Sequence, residues 1–594
     1  MTMGAMTAGA PRPRSPWLPA LVLSAAALAT SLAALGAAVE NATEDAQPPA
    51  ATPTQDPVSG PGATALTADG LLRYRGNLPA GVDTGPLAPE DAGHPADVVF
   101  EESTVDGIPV RWFLPVVSLH AGLESVTSAQ LAGLLDGSLA PAAAGGLGLT
   151  TVLAAAAPDV EAVTRLAGAP PVKVFESYEA LRAEAADPKA ASIITFVPID
   201  ELGPALSPLT VDDVDLLRGQ GEAAAWRYAE RMTVTGLTER GRAAAPGIAA
   251  QAAIATPKVT RVVATGDILM SRCTLAKIRA LGDWGAPLRN SVGEYLAGAD
   301  LALGSLDGSI QDIGTPYGCV DITNLTSPPQ VVETLTLGGI DEVTVATNHV
   351  FDCGEAFCGD RAFLRTLELL AQAGIKTAGG GKNLEESLAP VIFDVGGMTF
   401  GVLGFDDIAA EDLEATATSA GTAPLDDSYA DEKSTPPQEP AFYKPASMLG
   451  VTRLQERIRA LKQQVDVVIV QIQSGTEDTH EPSERSIKGL RAAAEAGADL
   501  VVGNQAHWVQ GAEVRGGTFI AYALGNFIFD QHKTPEQTQG YVLEADFLGK
   551  RLAAVRLLPY AIADQYRPEW VDGALRAKVL GDVWTASEGL PRAH

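Results

Sequence analysis

Four short clusters in the C-terminal half place carboxylates, amides and imidazoles where apolar runs end. They are TGDILMSR with Asp267 and Arg272, GSLDGSI with Asp307, ATNHVFDCG with Asn348, His349 and Asp352, and GNQAHWVQG with Asn504 and His507. Polar side chains that end successive strands are what a site at the rim of an α/β sheet needs, because the rigid sheet aims residues distant in sequence at one point. Such a set can hold a divalent cation, and an imidazole beside it can move a proton. Taken singly, each cluster also has a plainer reading: Gly-Asp after a strand makes a turn, and Asn-His caps or satisfies buried backbone. His480 and His532 match no cluster and read as surface or supporting residues, and His120 as a satisfied histidine.

The elements that must position these clusters are legible as apolar runs. Strands are expected at 259–267, 341–347, 398–405, 465–473, 498–504 and 518–526, with amphipathic helices such as DRAFLRTLELLAQAG and PSERSIKGLRAAAEAG between them, the latter opened by Pro482 and ended by Gly497. Continuous apolar strands imply burial on both faces, so the expected fold is layered α/β with its site at strand C-terminal ends. The acidic, Pro-containing stretch 406–440 lacks periodicity and reads as a solvated loop, with a lid over the site as the alternative.

With 594 residues the chain exceeds one core. Residues 1–40 hold Arg12 and Arg14 and an uncharged run from Trp17 to Val39, an export signal or membrane anchor; the run outlasts a signal core, which favours a retained anchor. Residues 41–70 read as a flexible Pro/Ala/Thr stalk, 71–240 as a smaller α/β lobe, 241–258 as a linker, and 259–594 as the domain with the clusters. In the lobe, strands are expected at 110–119 and 191–199, and helices at SYEALRAEAA and VDDVDLLRG. A net charge of −31 argues against nucleic acid as a partner. Cys273, Cys319, Cys353 and Cys358 are an even set in a chain read as exported, which favours disulfides; three connectivities are open, and a short 353–358 bridge would leave Cys273 with Cys319. Structural zinc is the rival reading.

The lobe segment PVVSLHAGLESVTSAQLAGLLDG, with a helix capped by Thr127 or Ser128, resembles part of phosphate-type solute-binding proteins. One lobe of that kind implies a spacer or docking unit, with capture of a small anion as the minor alternative. The second block is similar to the CapA family of poly-γ-glutamate capsule proteins, on GDILMSR, SLD, TNHVFDCG, QSG, GNQAHWVQG and ALGNFIFDQ in family order over about 300 residues. The resemblance implies a metallophosphoesterase-like sandwich. It implies Asp267, Asp307, Asn348, Asn504 and His507 as metal ligands, Asp307 bridging, with His349 the acid beside the leaving group and Arg272 and Asp352 holding the first motif and the histidine. It also implies an anionic polymer or capsule machinery as partner, and a membrane through the N-terminal segment.

Where the family has His-Trp-Gly this chain has Gln473, Ser474 and Gly475, and where it has Gly-His it has Gly503 and Asn504; the family Glu is the shorter Asp307. Amide oxygens in place of imidazole nitrogens shift the expected cofactor from Zn2+ towards Mn2+ or Mg2+. Two functions are therefore carried forward. One is a cell-surface capsule protein with a metal-assisted hydrolase or transfer site, and the other a degenerate metallophosphatase fold used as a binding scaffold.

Overall fold

The computed structural model describes residues 70–591 apart from 80, 104–105, 149, 223–225 and 426–449. The expected anchor at 1–40, and the stalk up to residue 69, lie outside the described residues. Among the described residues no helix is long and apolar enough to cross a membrane.

The N-terminal lobe is built on a mixed sheet with strand order Leu87–Pro89, Leu72–Arg75, Val98–Ser103, Ala229–Gly236, Ile108–Ser118, Ser192–Pro198, Thr151–Ala156 and Lys173–Phe175. The expected strands at 110–119 and 191–199 are its central members. Helix Ser128–Leu135 starts at a capping box in which the Thr127 hydroxyl accepts from the Gln130 amide and the Gln130 side chain accepts from the Thr127 amide.

Two lobe expectations are corrected. VDDVDLLRG is a short strand, Thr210–Val211, followed by turns. Asp212 and Asp213 adopt left-handed backbone with φ of 48° and 65°, a conformation that short acidic side chains tolerate. The Asp212 carboxylate accepts from the Ser128 amide at 2.8 Å and from its hydroxyl, so the helix N-terminus is satisfied from within the chain. The expected linker 241–258 is largely helix Glu239–Ala252, with Gly241, Ala245, Ile248 and Ala252 buried. Its small residues permit close approach to the sheet: a Cβ on Gly241 would meet the Asp97 carbonyl oxygen at 1.8 Å. Alanine- and glycine-rich composition reads as a soft linker until that packing is seen.

In the second block, strand β1 is Thr260–Ile268, α1 Arg272–Leu281, β2 Leu301–Leu306, β3 Glu342–Thr344 and α2 Arg361–Gln372. Then come β4 Met398–Asp406, α3 Thr452–Lys462, β5 Val467–Gln473, α4 Glu484–Glu495, β6 Leu500–Asn504, β7 Thr518–Ala521, β8 Asn526–Ile528, β9 Gln539–Leu548 and β10 Arg551–Ala563. One sheet runs Lys376–Ala378, β3, β2, β1, β9, β10, Arg567–Trp570, with β8 also on β1; the other runs Val391–Val395, β4, β5, β6, β7, Ala512–Arg515. Helix α4 is capped by the Ser483 hydroxyl, one residue after Pro482.

Continuous apolar strands are explained by the cores on both of their faces. Val262, Ala264, Leu301 and Leu303 of the first sheet join Phe400, Val402, Val467, Ile469, Leu500 and Val502 of the second in one cluster. The opposite face of the first sheet packs on helical residues such as Leu275 and Phe363, and that of the second on Leu454, Ile458 and Leu490.

The expected strand 518–526 is broken in two, because the chain leaves the second sheet after Ala521 and joins the first at Asn526. Gly525 turns at a φ of 83°, and its carbonyl accepts from the Asp267 amide at 3.2 Å. The approach needs a second glycine, since a Cβ on Gly266 would lie 1.7 Å from that oxygen. The stretch expected as a loop from 406 is ordered as far as 425: Asp406 Oδ1 accepts from the Ile408 and Ala409 amides, Gly421–Thr422 pairs with Gly380–Gly381, and Leu425 is buried. Residues 426–440 of that stretch lie outside the described residues.

From Gly70 onward the described residues form one compact unit. Ala553 and Ala554 of β10 belong to the hydrophobic core of the lobe. Beside them Arg218 of the lobe pairs with Asp215 at 2.9 Å and with Glu544 and Asp546 of β9, while Arg556 reaches Asp215 at 2.6 Å.

Candidate functional site

The C-terminal ends of the two sheets meet where the sequence clusters fall. Asp267, near the end of β1, lies opposite Ser305 of β2 on one side and Asn526 of β8 on the other. Its Oδ1 accepts from the Ser305 hydroxyl at 3.0 Å and its Oδ2 from the Gln505 amide at 3.3 Å, with His507 Nδ1 at 3.4 Å. Gln505 and His507 follow β6 of the other sheet, so these contacts join the two rims. His507 Nδ1 also meets Asn526 Oδ1 at 2.8 Å. Replacing Ser305 by Ala leaves Asp267 Oδ1 without this donor and is expected to cost about 1–3 kcal/mol, read as a lower melting temperature against wild type; an unchanged melt would show that the bond does not hold Asp267.

Asp307 follows β2, and its amide donates to the Ile268 carbonyl at 3.0 Å. Both of its carboxylate oxygens are buried with no donor, as are Asn348 Oδ1 after β3 and Asn504 Oδ1 at the end of β6. Buried acceptors of this kind are costly unless something positive meets them. Burial pushes the Asp307 carboxyl up to about 6; the charge of His349 opposes the rise and that of Asp267 adds to it. Burial acts downward on His507, but hydrogen bonding to Asp267 and the charges of Asp267, Asp307 and Glu477 outweigh it and lift its pKa to about 9.

His349 Nδ1 meets Asp352 Oδ2 at 2.7 Å, and the same oxygen accepts from the Leu325 amide at 2.5 Å. Burial acts downward on the His349 imidazolium, and Asp307 and Asp352 together raise it above its ordinary value. Arg272 stands one step back from the carboxylates: its guanidinium forks onto Asp530, and its Nη1 donates to the Ile322 carbonyl at 2.7 Å. Four non-glycine residues with positive φ gather around this rim, Arg272 (48°), Asp478 (58°), Gln505 (94°) and His507 (59°). Backbone strain of that kind persists where surrounding structure imposes it and is concentrated at functional sites.

Charge interactions thus link Asp267, Asp307, His349 and His507, with Asp352 behind His349 and Arg272 behind the first motif. Asn348 and Asn504 contribute the unpaired amide oxygens. Among the described residues no group of three His, Cys, Asp or Glu side chains is arranged to hold a metal ion. The donor set left over is amide and carboxylate oxygen, which fits a hard cation and not a thiophilic or imidazole-seeking one. Gln473, in the place of the family His, is engaged: its Nε2 donates to Gln505 Oε1 at 2.9 Å, and Gln505 Nε2 donates to Glu477 at 3.1 Å. His480 sits away from these contacts, on the Val509 carbonyl and over Trp508, and His532 contacts the Asp530 carbonyl and Gln565. His120 is buried in the lobe against Trp584.

The cysteines form Cys273–Cys319 and Cys353–Cys358 bridges, and no free cysteine remains among the described residues. Both flank the rim, and such bonds persist in oxidising, extracytoplasmic surroundings.

Residues 261–531 match the family model described as bacterial capsule synthesis protein PGA_cap. Over this segment the chain is similar to the PGA_cap (CapA) family. The PGA biosynthesis protein CapA of Bacillus subtilis (strain 168) is 30% identical over 187 residues, 31% of this chain and 42% of that protein. The capsule biosynthesis protein CapA of Bacillus anthracis is 24% identical over 269 residues, 45% of this chain and 59% of that protein. The chain therefore spans about half the length of the curated relatives it matches. A 5'-nucleotidase from Candida albicans SC5314 superimposes with a TM-score of 0.28 at 12% identity, covering 55% of this chain and 58% of that one.

Asp267, Arg272, Asp307, Asn348, His349, Asp352, Asn504 and His507 all lie within the matched segment. Sequence reasoning left Ser305, Gln505, Asn526 and Asp530 without a role. Ser305 carries a signal, because side chains two apart on a strand share a face and Asp307 is two residues on. Asn526 and Asp530 stood inside the quoted ALGNFIFDQ. Gln505 had none, since its contact with Asp267 is through the backbone.

Proposed function

We propose that the chain is an extracytoplasmic capsule protein acting in the biosynthesis, export or anchoring of a poly-γ-glutamate-type polymer, with a divalent-cation site at the rim of a metallophosphoesterase-like sandwich. The match of residues 261–531 to the capsule family model carries the reading. The unpaired oxygens of Asp307, Asn348 and Asn504 support the cation, Mn2+ or Mg2+, and these three residues with Asp267 and His507 would hold it. When bound, the cation supplies Lewis-acid polarisation of a phosphoryl or carbonyl oxygen.

The residues themselves supply proton handling. Asp352 fixes the Nδ1 face of His349 and leaves Nε2 to donate a proton to a leaving group. Ser305 and the Gln505 amide keep Asp267 oriented. Loss of the chain from its source cell is expected to remove surface γ-glutamyl polymer, quantified after acid hydrolysis, and return of the wild-type chain to restore it. Unchanged polymer would overturn the capsule assignment.

A second reading, a scaffold without catalysis, is favoured by Gln473 and by the full hydrogen bonding of Asp267. It expects calorimetry of the full chain with Mn2+ to show no binding, and Asp307→Asn to restore polymer as well as wild type does.

A further inference from the structure

We propose that Cys273–Cys319 is a redox latch on this site, opened by an external dithiol while the protein stays folded. The proposal rests on the reading of His349 and Asp352 as part of the site. The two bridges differ in access. Cys353 and Cys358 are 2% and 5% exposed, whereas Cys319 lies on the surface beside Val320, itself 47% exposed.

The exposed bridge controls a segment with no regular structure of its own, residues 311–325. Within six residues of Cys319 this segment makes three contacts with the site. The Ile322 carbonyl accepts from Arg272 Nη1 at 2.7 Å, Asn324 Oδ1 accepts from the Gly354 amide at 2.7 Å, and the Leu325 amide donates at 2.5 Å to the Asp352 oxygen that meets His349. On the other side of the bridge, the Cys273 amide donates to Asp530 at 2.9 Å, and Arg272 forks onto the same carboxylate. The bridge thus ties the support of the first motif to the support of His349, and cutting it returns loop freedom to the segment between them.

The chemistry is thiol–disulfide exchange. A thiolate of the dithiol attacks Cys319 Sγ, and Cys273 Sγ leaves and takes up a proton. The second thiol of the reagent then displaces Cys319 as a thiol. The protein gains two electrons and two protons, and the dithiol ends as a disulfide.

Dithiothreitol titration of the full chain, with alkylation and mass spectrometry, is expected to label Cys273 and Cys319 before Cys353 and Cys358. At that point amide exchange at Leu325 and Gly354 rises at least tenfold and falls again on reoxidation, while the Gln505 amide, which holds Asp267, stays protected. Cys273→Ser/Cys319→Ser reproduces the open pattern. Opening of Cys353–Cys358 first, unchanged exchange at Leu325 and Gly354, or loss of Gln505 protection in the same step would each overturn the latch. The exchange readout needs neither cation nor activity, so failure of the cation reading leaves this test intact.

Discussion

Asp307→Asn is expected to weaken Mn2+ binding by the full chain about 100-fold or more, since even residues that only orient ligands are worth about 10–100-fold. The same substitution is expected to stabilise the metal-free protein at neutral pH. Burial pushes the Asp307 carboxyl from 3.8 to about 6, with Asp267 adding to the rise and His349 opposing it. A carboxyl raised on folding binds its proton more tightly in the native state. Its contribution is therefore fully present below about pH 4 and is lost as pH rises through about 6. Metal-free wild type loses that contribution at pH 7 and the amide does not, so the Asp307→Asn variant should melt higher there, with the gap closing towards pH 4. Adding Mn2+ should raise the melting temperature of wild type and leave the variant unmoved. Equal Mn2+ affinity in the two proteins would remove Asp307 from the cation site.

Arg218→Met is expected to destabilise the lobe junction by about 3–5 kcal/mol, the cost of leaving buried charge without its partner. Arg218 is 4% exposed, and its partners Asp215, Glu544 and Asp546 are 4%, 0% and 0% exposed. Burial already pushes Asp546 up to about 8; Arg218 is the main force against the rise, while Glu544 and Asp215 add to it. Removing the guanidinium leaves three acids with Arg556 on Asp215 at 2.6 Å and Arg261 no nearer than 3.9 Å to Glu544. The loss should appear as a lower melting temperature and faster amide exchange along β9. Arg218→Met combined with Glu544→Leu and Asp546→Leu should recover much of it, because an apolar filling of similar volume can replace a buried ion pair. A single variant as stable as wild type would show that the cluster is solvated in solution.

Much of the second block was legible because its strands are covered on both faces, so runs such as VDVVIVQIQ need no alternation to be recognised. The hairpin β9–β10 was not among the expected strands. It is antiparallel and sits between two cores, and its small Ala553 and Ala554 give no strong strand signal. VDDVDLLRG carried helical spacing, but Asp212 is held by Ser128, a contact 84 residues away that no local pattern reports.

The clusters do fall at strand ends, but residue type does not give the bonds among them. Those depend on Gln505 and His507 turning through positive φ and on the chain changing sheets at Gly525. Neither is written in residue type. What distinguishes Asp267 from Asp307, one satisfied and one bare, is likewise a matter of which neighbours carry donors.

β10 has a consequence for anyone cutting this chain. Its side chains serve two cores at once, Ala553 and Ala554 in the lobe, Val555 and Leu557 between the sheets. A fragment beginning at 259 would carry a naked apolar stripe and leave Asp546 without Arg218, and should come out of the cell as aggregate. A strand shared in this way makes the two halves one folding unit, so neither can be removed without redesigning the face it leaves bare on the other.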